Sequence, residues 1–311
     1  MAHHEHDAPT SVSGAERLPR LGVIGLGQMG LPITAHLVRA GFATAVFDVD
    51  PERVRMAGEA GAVAAPDAHA LAADVDILIT VLPGAPEFAS VMSGADGAIA
   101  RLRAGAGWLD LTSNDPRVAE HAASESSSRG VWAVGAPMGG GVGSAETGML
   151  EFFVGGDVAA RARCEPVLQV LARPGGIRDA GPAVASGYTA KLLINQLWFT
   201  QVAAYAEAAL LWRALGNDPA WFEDLVTGSA ADSTFVRDYA GRLRVGDYAA
   251  SFGLDRCIDE IDIVSDLADD RQTPFDVGRV IQRLHHDALD RYGAVDGEML
   301  VAKMLEERAG G

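Results

Sequence analysis

The chain has 311 residues, a length that suggests about two domains. Hydrophobic residues make up 49 % and there are 36 glycines, so a substantial core can form and extended disorder is not indicated. A formal net charge of −17 argues against nucleic acid or an anionic membrane as partner, because both call for a basic surface. Residues 1–19 are polar and predict a mobile tail; His3, His4 and His6 could hold a metal there, but an unordered tail is the simpler expectation and no metal is predicted. No apolar run reaches transmembrane length and the N-terminus lacks a signal peptide's apolar core. Cys164 and Cys257 form no disulfide framework and suit a reducing cytoplasm.

Residues 20–181 read as a dinucleotide-binding domain. Leu21 to Leu26 is a short buried-strand pattern, and Gly25-Leu26-Gly27-Gln28-Met29-Gly30 is a turn feeding a helix marked by Met29, Ile33 and Leu37. Gly25 permits the tight turn, Gly27 lets a pyrophosphate approach the backbone, and Gly30 lets helix and strand pack closely. The helix N-terminus adds free N–H groups for the phosphates. Phe42 to Asp48 is the second strand, and its terminal Asp48 stands about 20 residues past the glycines, where an acid accepts hydrogen bonds from a ribose. With Val49 rather than an arginine beside it, Asp48 favours NAD over NADP. Val75 to Leu82, ending in Pro83-Gly84, reads as a buried parallel strand. Trp108 to Leu111 is another, followed by Thr112-Ser113-Asn114 and by Asp115 as N-cap with Pro116 at the first helical position. Val131 to Val134 and Phe152 to Val154 continue the alternation. The prediction is an α/β Rossmann-type, mostly parallel, doubly wound sheet.

Residues 182–311 read as all-helical. A proline-free helical pattern of about 183–215 stops at Gly216-Asn217 and is long enough to belong to two bodies at once. Further helices are predicted over about 219–227, 232–242, 255–270, 274–291 and 296–308. Trp198, Phe199, Trp212, Trp221 and Phe222 are expected in a core or interface, and His285 and His286 on the surface. The apolar helical faces predict a homodimer or homotetramer built through this half.

Two segments could carry chemistry. Lys191 and Asn195, four apart, share one helix face, and Lys191 is the only lysine before residue 303. A lysine can give and take a proton whereas arginine stays charged, so the pair could supply a base and a polar helper at an alcohol. Spacing alone favours a solvated lysine on an ordinary helix. Pro137-Met138-Gly139-Gly140-Gly141, with four glycines between 139 and 143, exposes backbone N–H groups to an anion or carbonyl oxygen, or is a flexible loop.

From about Leu21 to about Ala302, the combination resembles the β-hydroxyacid dehydrogenase family, whose members include 3-hydroxyisobutyrate dehydrogenase. Gly25 to Gly30 with Pro32 resembles its cofactor loop. Asp110-Leu111-Thr112-Ser113 with Pro116 is similar to its loop beside the nicotinamide, and Ala136-Pro137 through Gly141 with Glu146 and Gly148 is similar to its substrate loop. Gly187 through Lys191 to Asn195 resembles its catalytic helix. The resemblance implies hydride transfer between NAD and a 3-hydroxy acid or semialdehyde. It implies Lys191 as general acid/base with Asn195 its helper; Leu82, Pro83 and Thr112 beside the cofactor; and Pro137, Met138, Gly139, Gly140 and Gly141 at the substrate. Relatives that prefer NADP usually carry Asn-Arg at the position of Asp48 and Val49.

The match departs at the substrate end. The family's substrate-loop aspartate is Gly135 and its serine Gly139; its second asparagine is Gln196, and the first glycine of its G-x-G is Ala185. A Lys-Asp pair expected from the second domain aligns with Asp259-Glu260, so Asp259 is placed in the pocket as an anion where a cation is usual. Three readings stand: the alignment slips and Asp259 belongs to a solvated acidic face, Arg256 takes over as anchor, or the substrate is neutral or carries an amine. The alternatives are an imine-reductase-like reduction of a C=N bond and a non-catalytic NAD-binding protein. Imine reductases typically place aspartate or tyrosine where this chain has Lys191.

Overall fold

The computed structural model describes residues 17–249 and 252–310. His3, His4, His6 and most of the predicted tail lie outside the described residues. Among the described residues nine strands form one sheet: β1 (Leu21–Ile24), β2 (Thr44–Phe47), β3 (Val63–Ala64), β4 (Ile77–Thr80), β5 (Gly107–Asp110), β6 (Trp132–Gly135), β7 (Met138–Gly139), β8 (Leu150–Gly156) and β9 (Ala172–Gly181). The order is β3-β2-β1-β4-β5-β6-β8-β7, with β9 also beside β8. Strands β1 to β6 are parallel, as predicted, with helices between them burying apolar residues on both faces. Many connecting helices start on an aspartate whose side chain accepts an N–H of the first turn: Asp50, Asp67, Asp115, Asp157 and Asp218. Part of the acidic excess therefore serves to cap helices.

The parallel pattern does not continue into β8, which runs antiparallel to β6 and β7. Left-handed Gly140 and Gly148 bracket a seven-residue helix, Gly141–Thr147, that folds the chain back instead of carrying it across the sheet. The two-residue β3 and β7 and the ten-residue β9, which is rich in glycine and charge, carry no apolar alternation strong enough to be read from sequence.

After Gly181 the regular elements are helices. The long helix, Val184–Ala214, has 31 residues and spans about 46 Å. Its Val184 and Tyr188 join the core beneath the sheet, whereas Phe199, Val202, Ala203 and Ala206 join two cores of the helical half. It is thus a member of both bodies. Around it stand helices Pro219–Val226, Gly241–Arg244, Leu254–Asp270, Asp276–Tyr292 and Leu300–Arg308. Two spans differ from expectation. The stretch predicted over 232–242 contains a π-helical turn, Val236–Ala240, and the last helix starts only at Leu300, after Gly297 at φ 152°. Trp198 packs edge-on to Phe235 and Tyr239, and Trp221 is exposed.

His285 corrects the surface expectation. It is fully buried, packs edge-on to Phe199 and shares a 2.9 Å hydrogen bond between Nδ1 and the Ile281 carbonyl; only His286 is exposed, against Asp262. Polar neighbours in sequence conceal the fact that residue 285 lies on the same face as Ile281 and Ala288. Burial pushes the ring from its ordinary 6.5 down to about 4. Between those values the unfolded chain binds the extra proton, so stability falls as the pH falls. The expected loss from this group between pH 8 and pH 5 is about 2 kcal/mol, read from denaturant unfolding at the two pH values. His285→Phe should remove that component and leave the rest of the acid sensitivity in place.

Candidate active site

The carboxyl ends of β1, β4 and β5 form one rim. Gly25, at φ 95°, sits so close to β4 that a β-carbon would lie 2.2 Å from the Val81 carbonyl, and one on Gly30 would lie 2.0 Å from the Gly25 carbonyl. Gly27 is different: a β-carbon there meets nothing within 4 Å. Two glycines are therefore required by the protein's own packing, and the third faces open space. The helix they feed, Gly30–Arg39, has no side-chain cap; Leu31 already donates to the Gly27 carbonyl and Pro32 has no N–H, so an anion would meet the backbone of the glycine turn that leads into it. The residues present fit a dinucleotide's pyrophosphate at this place.

Asp48 closes the rim at β2. Its Oδ2 accepts the Leu26 N–H at 2.6 Å and its Oδ1 the Asp50 N–H at 2.8 Å, so the acid braces the glycine loop and keeps lone pairs for a ligand hydroxyl. Val49 beside it is 92 % exposed. On the other side Leu82 donates its N–H to Thr112 Oγ1 at 3.0 Å, joining the Leu82–Pro83 turn to the loop after β5.

Asp110 lies under that loop, fully buried. Thr80 Oγ1 (2.8 Å) and the Thr112 N–H (3.0 Å) donate to its Oδ1; Asn114 Nδ2 (3.0 Å) and the Tyr188 hydroxyl (2.9 Å) donate to its Oδ2. Burial pushes its carboxyl above the ordinary range, and the donors from Thr112, Asn114 and Thr80 oppose that rise.

The long helix brings Lys191 and Asn195 to the junction of the two halves. It passes so near the sheet that a β-carbon on Gly187 would lie 2.4 Å from the Phe153 carbonyl and 2.7 Å from that of Gly135. Lys191 is one turn further on, and Gly135, against which Gly187 packs, leads into the glycine-rich segment. That segment is no free loop: Met138 and Gly139 pair with Phe152 and Glu151 as β7, and buried Pro137 accepts the Phe153 N–H at 3.2 Å. Gly140 and Gly141, both at positive φ, lie exposed beyond it.

From the helical half, Glu260 rather than Asp259 meets this group. Glu260 is 4 % exposed and its Oε2 accepts Asn195 Nδ2 at 2.5 Å, while its Oε1 is buried without a partner. Asp259 is 62 % exposed at its side chain and pairs with Arg256 at 3.3 Å. The Arg256 guanidinium reaches across to the first half, 3.7 Å from where a β-carbon of Gly84 would stand. Burial, then the charges of Glu260 and Glu298, push the buried Cys257 thiol above its ordinary range; Lys191 works in the opposite direction, so it faces this same helix. Tyr188 and Glu260 are the members that sequence reasoning passed over as site residues. A signal existed for Glu260, because 257, 260, 261 and 264 form the buried stripe of helix Leu254–Asp270 and 259 does not belong to it.

This geometry is that of a dinucleotide-binding sheet with a lysine-bearing helix packed against it and a helical half beyond. A family model for the NAD binding domain of 6-phosphogluconate dehydrogenase matches residues 20–185, and one described as NAD-binding of NADP-dependent 3-hydroxyisobutyrate dehydrogenase matches 185–305. The chain is 34 % identical over 219 residues to 3-hydroxyisobutyrate dehydrogenase of Pseudomonas aeruginosa, covering 70 % of this chain and 72 % of that one. It is 29 % identical to L-threonate dehydrogenase of Cupriavidus necator over 82 % of this chain and 85 % of the other. In fold it is similar to 3-hydroxyisobutyrate dehydrogenase of Mycobacterium tuberculosis, solved with L-serine, at a TM-score of 0.82 and 24 % identity, over 93 % of this chain and 99 % of that one. The chain belongs to the 3-hydroxyisobutyrate (β-hydroxyacid) dehydrogenase family and is an NAD(P)-dependent enzyme acting on a CH–OH group.

Proposed function

We propose that the protein interconverts a small 3-hydroxy acid and its semialdehyde, with NAD preferred to NADP and Lys191 as general acid/base. The observation that carries this reading is the hydrogen bond from Asn195 to buried Glu260, which fixes Asn195 one turn from Lys191 where the two halves meet. The glycine rim, Asp48, Leu82, Pro83 and Thr112 would hold the cofactor, whose nicotinamide supplies or accepts the hydride when bound. Lys191 Nζ takes the hydroxyl proton in oxidation and returns it in reduction. Asn195 orients the hydroxyl. The open backbone of Gly139, Gly140 and Gly141, together with Pro137 and Met138, forms the substrate wall opposite. Arg256, held by Asp259, is the cation available to a substrate carboxylate. NAD is favoured because a 2′-phosphate would meet the Asp48 carboxylate and an apolar Val49.

The exposed stripe of Leu193, Leu197, Leu211 and Leu215 on the long helix, with Trp221 and Leu225 beyond it, supports a homodimer or homotetramer built through the helical half. Two unpaired thiols agree with a reducing compartment such as the cytoplasm.

A cofactor-absorbance screen of 3-hydroxy acids, semialdehydes, amino alcohols and cyclic imines, with NAD and with NADP, tests the reading. The expected result is turnover of a 3-hydroxy acid with NAD. Cyclic imine reduction without hydroxy-acid turnover would replace it by the C=N reading. Asp259→Lys should shift preference toward carboxylate over amine substrates by about tenfold, ~1.4 kcal/mol. An unchanged preference would mean that Arg256, which Asp259 holds, does not meet the substrate.

A further inference from the structure

We propose that Tyr188 is a positioning residue, whose hydroxyl bond to the buried Asp110 carboxylate sets the long helix, and with it Lys191, against the loops that end β4 and β5. The proposal rests on the reading of Lys191 as the group that moves the proton.

Asp110 accepts four hydrogen bonds, and every donor is neutral: Thr80, the Thr112 amide, Asn114 and Tyr188. A carboxylate buried among neutral groups depends on its donors, so each is held to a narrow geometry. Three of the four come from β4 and the loop after β5. Tyr188 alone comes from the helical element, 78 residues away in sequence. Because Thr112 also receives the Leu82 amide, one carboxylate ties Leu82, Thr112 and the helix turn before Lys191 into a single unit.

The ring is wedged as well as bonded. A β-carbon on Gly135 would lie 2.5 Å from Tyr188 Cε2, so the phenol fills the space that a side chain at 135 would need. Gly187, in contact with β6 and β8, brings the helix close enough for the ring to reach. Burial first, then the Asp110 charge, keep the phenol protonated and donating.

Tyr188→Phe keeps the ring and removes only the donor. The expected result is a kcat lowered about tenfold or more, with NAD affinity and KM within about twofold and a displaced kcat–pH profile, assayed at saturating NAD so that bound cofactor holds the fold. Ser126→Ala removes a buried hydrogen bond of the same half that lies outside this network, the one from Trp108 Nε1 at 2.6 Å, and should leave kcat within about twofold. The proposal is overturned if Tyr188→Phe leaves kcat and its pH profile unchanged, or if Ser126→Ala lowers kcat as much. If Lys191→Ala keeps turnover, the reading beneath it fails and the proposal goes with it. Loss of turnover in Lys191→Ala alone, with Tyr188→Phe at full rate, removes the Tyr188 proposal and leaves the function standing.

Discussion

Lys191→Ala is expected to lower turnover by about 10²–10⁴-fold while NAD affinity stays within about twofold of wild type. Alanine is the best helix former, and the position lies well inside the 31-residue helix, so the backbone has no reason to change. The side chain is half-buried on the helix that joins the two halves, and none of the contacts that hold the glycine rim involves it. The loss therefore falls on proton transfer and not on cofactor binding. Fluorescence titration with NADH and steady-state kinetics separate the two quantities. Unchanged affinity with no turnover in wild type or variant would point to an NAD sensor. Retained turnover in the variant would move the proton to another group, with Glu260 the nearest buried carboxyl to Asn195.

Gly27→Val and Gly30→Val should fail in opposite ways. At Gly27 a β-carbon meets no atom within 4 Å, so the variant should fold with an unchanged melting temperature. The branched side chain would stand in the open space facing the helix N-terminus, where the pyrophosphate needs close backbone approach. Losing one charge-assisted hydrogen bond there, about 1.5–3 kcal/mol, weakens NAD binding roughly 10–100-fold. At Gly30 a β-carbon would lie 2.0 Å from the Gly25 carbonyl, so Gly30→Val should cost the fold itself. Calorimetry with and without NAD reads both effects. Equal loss of stability in the two variants would mean that Gly27 serves packing, and the rim would lose its claim on the pyrophosphate.

The substrate end shows why neighbours in sequence are unequal. Asp259 and Glu260 are adjacent, yet one projects into solvent against Arg256 and the other is buried against Asn195. Alignment by motif points to the pair, and the helical period decides between its members. Gly135 has a similar history. As a departure from the family's aspartate it reads as a lost contact, whereas in the fold it is the space that the Tyr188 ring occupies.

What the sequence determined by itself is local. Apolar runs bounded by glycine and proline locate the parallel strands, and aspartates before prolines locate helix starts such as Asp115–Pro116. Unbroken periodicity locates the long helix to within a residue at either end. The types at 25, 27, 30 and 48 suffice to point to a dinucleotide, and the family resemblance is what turns 191 and 195 into a dehydrogenase's pair. These signals are legible because turns, caps and helical faces depend on residues a few positions apart. Only the tertiary structure decided the reversal of β8, the burial of His285, the meeting of Asn195 with Glu260 across 65 residues, and that of Tyr188 with Asp110 across 78. Each depends on packing between distant elements, and that packing leaves no periodic mark on either segment alone.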